Sequence, residues 1–258
     1  ELEAPICPCS WASPVWRRSE PNEDQYLRAI VQPTLEMIER DRNHPSIIMW
    51  SLANESQWGR NYRIQADLVR QADGSRPIIF SSVGLNMDQG ACDVASQHYP
   101  VKISGKRPGE YAANDRPVLF DEYAHVGRTN RREKITDPGL RDYYGLHFPA
   151  LWEEIRSTKA CLGGGIWAGI DEVFYLDNKE VGWGYWGLID GWRRPKPEYW
   201  HVKKSYSPIR VPSKSLPVPE AGEPLQIEVE NRFDFTNLSE VRTQWSIGNQ
   251  SGVAELEI

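Results

Sequence analysis

The sequence predicts an α/β chain: the C-terminal part of a (β/α)8 TIM barrel, followed by the start of a β-sandwich domain. Three observations predict it. Short apolar runs of strand length alternate with helical stripes, which argues for parallel strands joined by right-handed crossovers. Two of those runs stop abruptly at a glutamate, Glu55 and Glu122, and the C-terminal strand ends of such a barrel are where active sites are built. A stretch rich in proline, with Pro208, Pro212, Pro217, Pro219 and Pro224, then gives way to short segments of strand character separated by turns. A closed eightfold barrel takes about 250 residues, and only about five or six strands precede this stretch, so the first barrel strands are expected to be missing. The expected division is therefore a barrel domain over 1–207, a linker over 208–224 and a partial sandwich over 225–258.

The elements follow in order. Residues 1–10 read as a strand end and its loop. Leu27, Ile30, Val31, Leu35 and Ile38 form a helical stripe over 23–40, which Pro33 should kink or restart. Residues 47–52 read as a strand buried on both faces. A helix over 61–72 is closed by Asp73-Gly74-Ser75. Strands follow at 77–82, more weakly at 92–99, and at 117–121. A helix over 139–158 should be interrupted near Pro149, and the last strand is 162–167, entered through Gly163-Gly164-Gly165. Past the linker, strands are expected at 225–230, 240–247 and 253–258, with a turn at 248–252.

Bulk composition narrows the function classes. Hydrophobic residues make up 40% and charged residues 26% of 258, the profile of a globular protein. The apolar runs are far shorter than the ~18 residues of a membrane span, so no membrane role is expected. Net charge is −6 with no basic block, which argues against nucleic acid as a partner. Eleven Trp favour a carbohydrate partner, because indole faces stack on sugar rings, although Trp also fills cores. Cys7, Cys9, Cys92 and Cys161 lack metal or redox spacing and read as free thiols. Nothing in the sequence fixes an oligomeric state.

The two glutamates sit in longer signatures. The first is the run Asp41-Arg42-Asn43-His44-Pro45-Ser46, then an apolar strand, then Asn54-Glu55-Ser56. The second is Arg116-Pro117-Val118-Leu119-Phe120-Asp121-Glu122-Tyr123-Ala124-His125. Two carboxyl groups on two strand ends can flank one glycosidic bond, one as acid and one as nucleophile or base. In these signatures the chain resembles glycoside hydrolase family 2, retaining enzymes, and within it the β-galactosidases, over about residues 1–250. The resemblance implies the same barrel and the sandwich that follows it.

The resemblance also implies roles. Glu55 becomes the general acid/base, which needs a raised pKa; Trp50 and Trp58 are near enough in sequence to supply an apolar wall. A Glu capping the next helix is the plainer alternative. Glu122 becomes the nucleophile and must stay ionised. Asp121 competes with it, and strand alternation allows only one of the two to face the site. Asn54 is expected to bind the sugar 2-hydroxyl, Tyr99 to hydrogen-bond the nucleophile, His125 to bind sugar hydroxyls and Trp167 to floor the sugar site. Trp183, Tyr185, Trp186 and Trp192 could line a leaving-group subsite or fill a core.

One departure concerns metal. The large β-galactosidases carry Glu-x-His after the third strand to help hold magnesium, and here Cys7-Pro8-Cys9 stands in that place. Magnesium prefers oxygen ligands, so no metal and no cofactor are expected. The expected activity is hydrolysis of terminal β-D-galactosides through a covalent glycosyl-enzyme intermediate. The alternatives are β-glucuronidase or β-mannosidase activity of the same family, or a catalytically silent carbohydrate-binding relative.

Overall fold

The computed structural model describes residues 22–82, 84–101, 105–125 and 138–254, with side chains from 145 onward in the last segment save 174 and 183. The expectations for residues 1–10, Cys7 and Cys9 lie outside the described residues. The chain divides into two compact units, Glu1–His201 and Val202–Ile258, and each is taken by itself.

The first unit carries a parallel wall. Strands β1 (Trp50–Asn54), β2 (Ile78–Ser81), β3 (Ala95–Ser96), β4 (Val118–Tyr123) and β5 (Cys161–Ile166) follow one another in sequence order. β1 pairs with β2, β3 with β4 and β4 with β5, all parallel. An Ile79↔Val94 parallel bridge joins the two sets. Sequential parallel neighbours with helical crossovers are the wall of an α/β barrel. All four residues of β2 are buried, as a strand covered on both faces requires.

Helix α1 (Asp24–Asp41) and helix α2 (Arg60–Ala72) cover this wall. Ile30 and Ile38 from α1 and Tyr62, Ala66 and Val69 from α2 pack with Leu52, Ile78 and Phe80 into one buried cluster. Gln65 lies at its polar centre. Its Nε2 donates to Thr34 Oγ1 at 2.7 Å, to the Ile30 carbonyl at 3.1 Å and to the Leu52 carbonyl at 3.2 Å. One amide therefore ties α1, α2 and β1 together. α1 passes through Pro33 as one element, contrary to the expected restart. Its buried positions Ile30, Val31, Thr34 and Ile38 lie on both sides of the proline, and burial of that common face offsets the missing backbone bond.

Three further expectations are corrected. β1 begins at Trp50, not at 47. Ile47 is tied to a turn by its N–H to the His44 carbonyl at 3.2 Å, Ile48 is exposed, and pairing with the neighbouring strand starts where Trp50 N–H meets the Pro77 carbonyl at 3.0 Å. Helix α3 (Pro138–Ser157) is continuous through Pro149. The weak strand at 92–99 shrinks to the two residues of β3.

An antiparallel hairpin, β6 (Glu172–Leu176) with β7 (Lys179–Gly184), was not anticipated. Its two-residue turn is Asp177-Asn178, with φ of 49° and 61°, the left-handed pair that tight hairpins need and that Asp and Asn tolerate. Helix α4 (Pro197–Ser205) was also missed. No described helix is long and apolar enough to cross a membrane.

In the second unit, β8 (Ile209–Arg210) pairs antiparallel with β9 (Glu230–Asn231). β8 thus falls inside the stretch expected to be linker. β10 (Thr243–Ile247) pairs with β11 (Gln250–Ala254) around Gly248-Asn249. The turn is shorter than the expected 248–252, because Ile247 and Gln250 already face each other in the ladder. These two antiparallel pairs are the strands of this unit among the described residues.

Candidate active site

The C-terminal ends of the parallel strands meet at a cluster of ionisable side chains. Backbone hydrogen bonds between neighbouring strand ends set its level. Glu55 N–H donates to the Ser81 carbonyl at 3.1 Å, His98 N–H to the Ser82 carbonyl at 3.0 Å, Tyr99 N–H to the Glu122 carbonyl at 2.7 Å and Trp167 N–H to the Tyr123 carbonyl at 3.1 Å. Each site residue is therefore anchored to a neighbouring strand of the wall. Glu55, Tyr99 and Ala124 hold positive φ of 43°, 46° and 56°. Such non-glycine conformations are costly and gather at functional sites.

His98, fully buried at 0% exposure, stands at the centre. Its Nδ1 is 3.3 Å from Glu55 Oε1 and 3.7 Å from Glu122 Oε2. Its Nε2 is 2.9 Å from Ser81 Oγ and 3.4 Å from Asp121 Oδ1. Ser81 Oγ in turn donates to Asn54 Oδ1 at 3.3 Å. Ser96 Oγ donates to Asp121 Oδ1 at 2.7 Å. The Tyr99 hydroxyl donates to Glu122 Oε2.

Asp121 and Glu122 both reach this imidazole, Asp121 at Nε2 and Glu122 at Nδ1, on opposite sides of the ring. The β4–β5 register shifts between Phe120 and Tyr123, and such an irregularity re-aims side chains at a barrel rim. β5 comes close here because Gly164 has no side chain. A Cβ there would lie 2.6 Å from the Phe120 carbonyl oxygen and 2.8 Å from the Tyr123 ring.

Burial shifts the charges. It pushes the Glu122 carboxyl up to about 7, against the opposing pull of His98 and the Tyr99 hydroxyl, with Glu55 and Asp121 raising it further. Glu122 is thus less firmly ionised than expected. Burial alone would lower His98, but its hydrogen bonds with Asp121 and Glu55 and the charges of Asp121 and Glu122 carry it up to about 10. Tyr99 is raised by burial and then by Glu122, and stays a donor.

The other expected residues are distributed around this centre. The His125 ring lies 5.9 Å from that of Tyr99 and 5.1 Å, edge-on, from that of Trp186, an aromatic row leading away from Glu122. Trp167 follows the end of β5 and is half-buried. Trp50 does not supply the expected wall for Glu55. Trp50 opens β1, at its far end, and donates Nε1–H to Asp73 Oδ2 at 2.9 Å. Trp58 packs on Tyr62 and Phe80 in the core. Trp192 stacks near Tyr175, ring centroids 5.8 Å apart, beneath the Arg194 guanidinium. Asp171 is taken up structurally, accepting from Lys196 Nζ and from Gly187 N–H, each at 2.7 Å.

Sequence reasoning missed His98. The available signal was a histidine directly before Tyr99, at the end of a strand pointing to the same rim. Glu55, His98 and Glu122 offer donor atoms within 4.8 Å of one another, close enough for a cation. Magnesium prefers oxygen ligands, and in this arrangement the imidazole already faces a carboxylate on each nitrogen.

Residues 10–211 match the family model described as "Glycosyl hydrolases family 2, TIM barrel domain". A β-galactosidase of Vibrio cholerae is 30% identical over 217 residues, covering 73% of this chain and 20% of that protein. A β-galactosidase of Oenococcus oeni is 27% identical, covering 90% and 23%. Among solved structures, a family 2 β-galacturonidase of Eisenbergiella tayi bound to glycerol gives a TM-score of 0.55 at 22% identity, covering 70% of this chain and 36% of that one. A β-D-glucuronidase of Dictyoglomus thermophilum gives 0.54 at 20% identity, covering 71% and 36%. The chain spans about a fifth of the length of the curated relatives it matches. By the extent of the family match, with a parallel wall whose strand ends gather two glutamates, the chain belongs to glycosyl hydrolase family 2.

Proposed function

We propose that this chain carries the catalytic centre of a retaining exo-β-glycosidase acting on terminal β-D-galactosides. The observation that carries the reading is the spacing: carboxylate oxygens of Glu55 and Glu122 lie within 4.8 Å. Retaining enzymes hold their carboxyl groups about 5–5.5 Å apart, whereas inverting enzymes leave about 6.5–9.5 Å for a water. Glu122 attacks the anomeric carbon while Glu55 gives its proton to the departing oxygen. In the second step Glu55 takes a proton from water, whose oxygen attacks the anomeric carbon and releases Glu122. The Tyr99 hydroxyl favours the ionised form of Glu122, as a nucleophile needs. Asn54, oriented by Ser81, is read as the ligand of the sugar 2-hydroxyl, His125 as a contact for other hydroxyls and Trp167 as the floor. The antiparallel pairs of the second unit are read as the opening of a β-sandwich.

The galactoside preference rests on the Glu122-Tyr123-Ala124-His125 signature and on the names of the curated relatives. Aryl β-galactosides, β-glucuronides and β-mannosides assayed side by side with the full-length protein test it. The first product should be the β-anomer by NMR, from the galactoside most rapidly. Initial release of the α-anomer would overturn the double displacement, and a faster glucuronide would overturn the sugar.

A further inference from the structure

We infer that His98 is a positioning residue: a doubly protonated imidazole, clamped between three carboxylates, that fixes the distance and orientation of Glu55 and Glu122. The inference deepens the proposed reaction and rests on the roles given there to those two glutamates.

An acceptor carboxylate stands beside each ring nitrogen. Nδ1 faces Glu55 Oε1 at 3.3 Å, with Glu122 Oε2 next at 3.7 Å. Nε2 faces Ser81 Oγ at 2.9 Å and Asp121 Oδ1 at 3.4 Å. Ser81 Oγ can pass its own proton on to Asn54 Oδ1 at 3.3 Å and accept from the ring. A neutral imidazole protonated on Nδ1 could accept from Ser81 instead, but its Nε2 lone pair would then lie 3.4 Å from the Asp121 Oδ1 acceptor, a buried repulsion. The ring is held from behind as well, since its backbone N–H is bound to the Ser82 carbonyl at 3.0 Å. The groups that face it are Glu55 from the end of β1, Asp121 and Glu122 from β4, and Tyr99 beside it, whose ring lies 5.7 Å away nearly edge-on.

The consequence is electrostatic as well as steric. Like-charged carboxylates this close disfavour each other's ionisation. A fixed cation between them offsets that repulsion, keeps Glu122 available as an anion and lets the pair approach to the retaining spacing. Asp121, itself held by Ser96 at 2.7 Å, stabilises the cation without occupying the reacting face.

His98→Gln in the full-length enzyme tests this, with kcat/KM measured across pH on aryl β-galactosides. Loss of the cation should lower kcat/KM by about 100-fold, the scale of a misplaced catalytic group. It should also move the acidic limb upward by about one pH unit, because Glu122 then ionises less readily. Asp121→Asn should add an alkaline limb, since the imidazole now loses its proton within the working range. A uniform loss with an unmoved acidic limb would reduce His98 to a packing residue and overturn the inference. Should His98→Gln not fold, ¹⁵N NMR of the wild-type ring at about pH 8 decides: two protonated nitrogens support the cation, and one bare nitrogen overturns it. Glu122→Gln separates the two proposals. If it stays active, the assigned nucleophile is wrong; if it is inactive while His98→Gln keeps the wild-type profile, only the role of His98 falls.

Discussion

Tyr99 holds Glu122 at two points: its hydroxyl donates to Oε2, and its backbone N–H donates to the Glu122 carbonyl at 2.7 Å. The first bond acts on charge and the second on position, so they can be separated. Tyr99→Phe removes only the first. It should lower kcat/KM by about 100-fold, as loss of a preorganised donor does, and move the acidic limb upward, because the hydroxyl opposes the raised pKa of Glu122. The thermal midpoint should stay within about 3 °C. A Phe variant with an unshifted acidic limb would show that the phenol does not tune Glu122.

The two glutamates should respond differently to leaving groups. Glu122→Gln should abolish turnover while substrate still binds, because no nucleophile remains. Glu55→Gln should spare activated aryl galactosides more than natural ones, since a good leaving group needs little protonation. Steady-state rates on a series of aryl galactosides measure this, and equal losses across the series would remove the acid role from Glu55.

Stability should fall on the alkaline side through His98. Its pKa is raised in the folded chain from 6.5 to about 10, so the folded state holds its proton more tightly than the unfolded one. That stabilisation is fully present below about pH 6.5 and is lost as pH rises through about 10. Thermal melts of wild type and His98→Gln between those limits should converge as pH rises. Parallel curves would contradict the linkage.

The close approach of β4 and β5 should not tolerate a side chain at Gly164. Gly164→Ala places a Cβ 2.6 Å from the Phe120 carbonyl oxygen, which backbone cannot yield cheaply. A destabilisation of about 1–3 kcal/mol is expected, read by denaturant unfolding, with activity falling because β4 carries Asp121 and Glu122. An unchanged midpoint would mean that the strands part without penalty.

Chelation should leave the activity nearly unchanged, because the protonated His98 stands where a cation would bridge Glu55 and Glu122. The check is turnover before and after exhaustive EDTA treatment. A large loss restored by magnesium alone would contradict it.

Local rules carried the sequence reading a definite distance. The stripe Ile30, Val31, Ile38 marked α1 within a residue or two, and Arg60–Ala72 was legible for the same reason: helix periodicity is written within one segment. Glu55 and Glu122 were legible because each interrupts an apolar run at its end. The hairpin turn Asp177-Asn178 carried a usable signal that the reading passed over.

What only the tertiary structure decided is which side chains meet. His98 and Glu55 are 43 positions apart, and their 3.3 Å contact exists because neighbouring strand ends are bonded at one level. Strand alternation sends Asp121 and Glu122 apart, and only the fold puts one imidazole between them, with Asp121 at Nε2 and Glu122 at Nδ1. Trp50 lay near Glu55 in sequence, yet it opens the strand that Glu55 ends and bonds Asp73 there. The sequence by itself determined the periodic elements and the residues at their ends, since both follow from interactions within a few positions. The site's charge balance belongs to the fold, since burial and distance between strands, not residue identity, set the ionisation of Glu122 and His98.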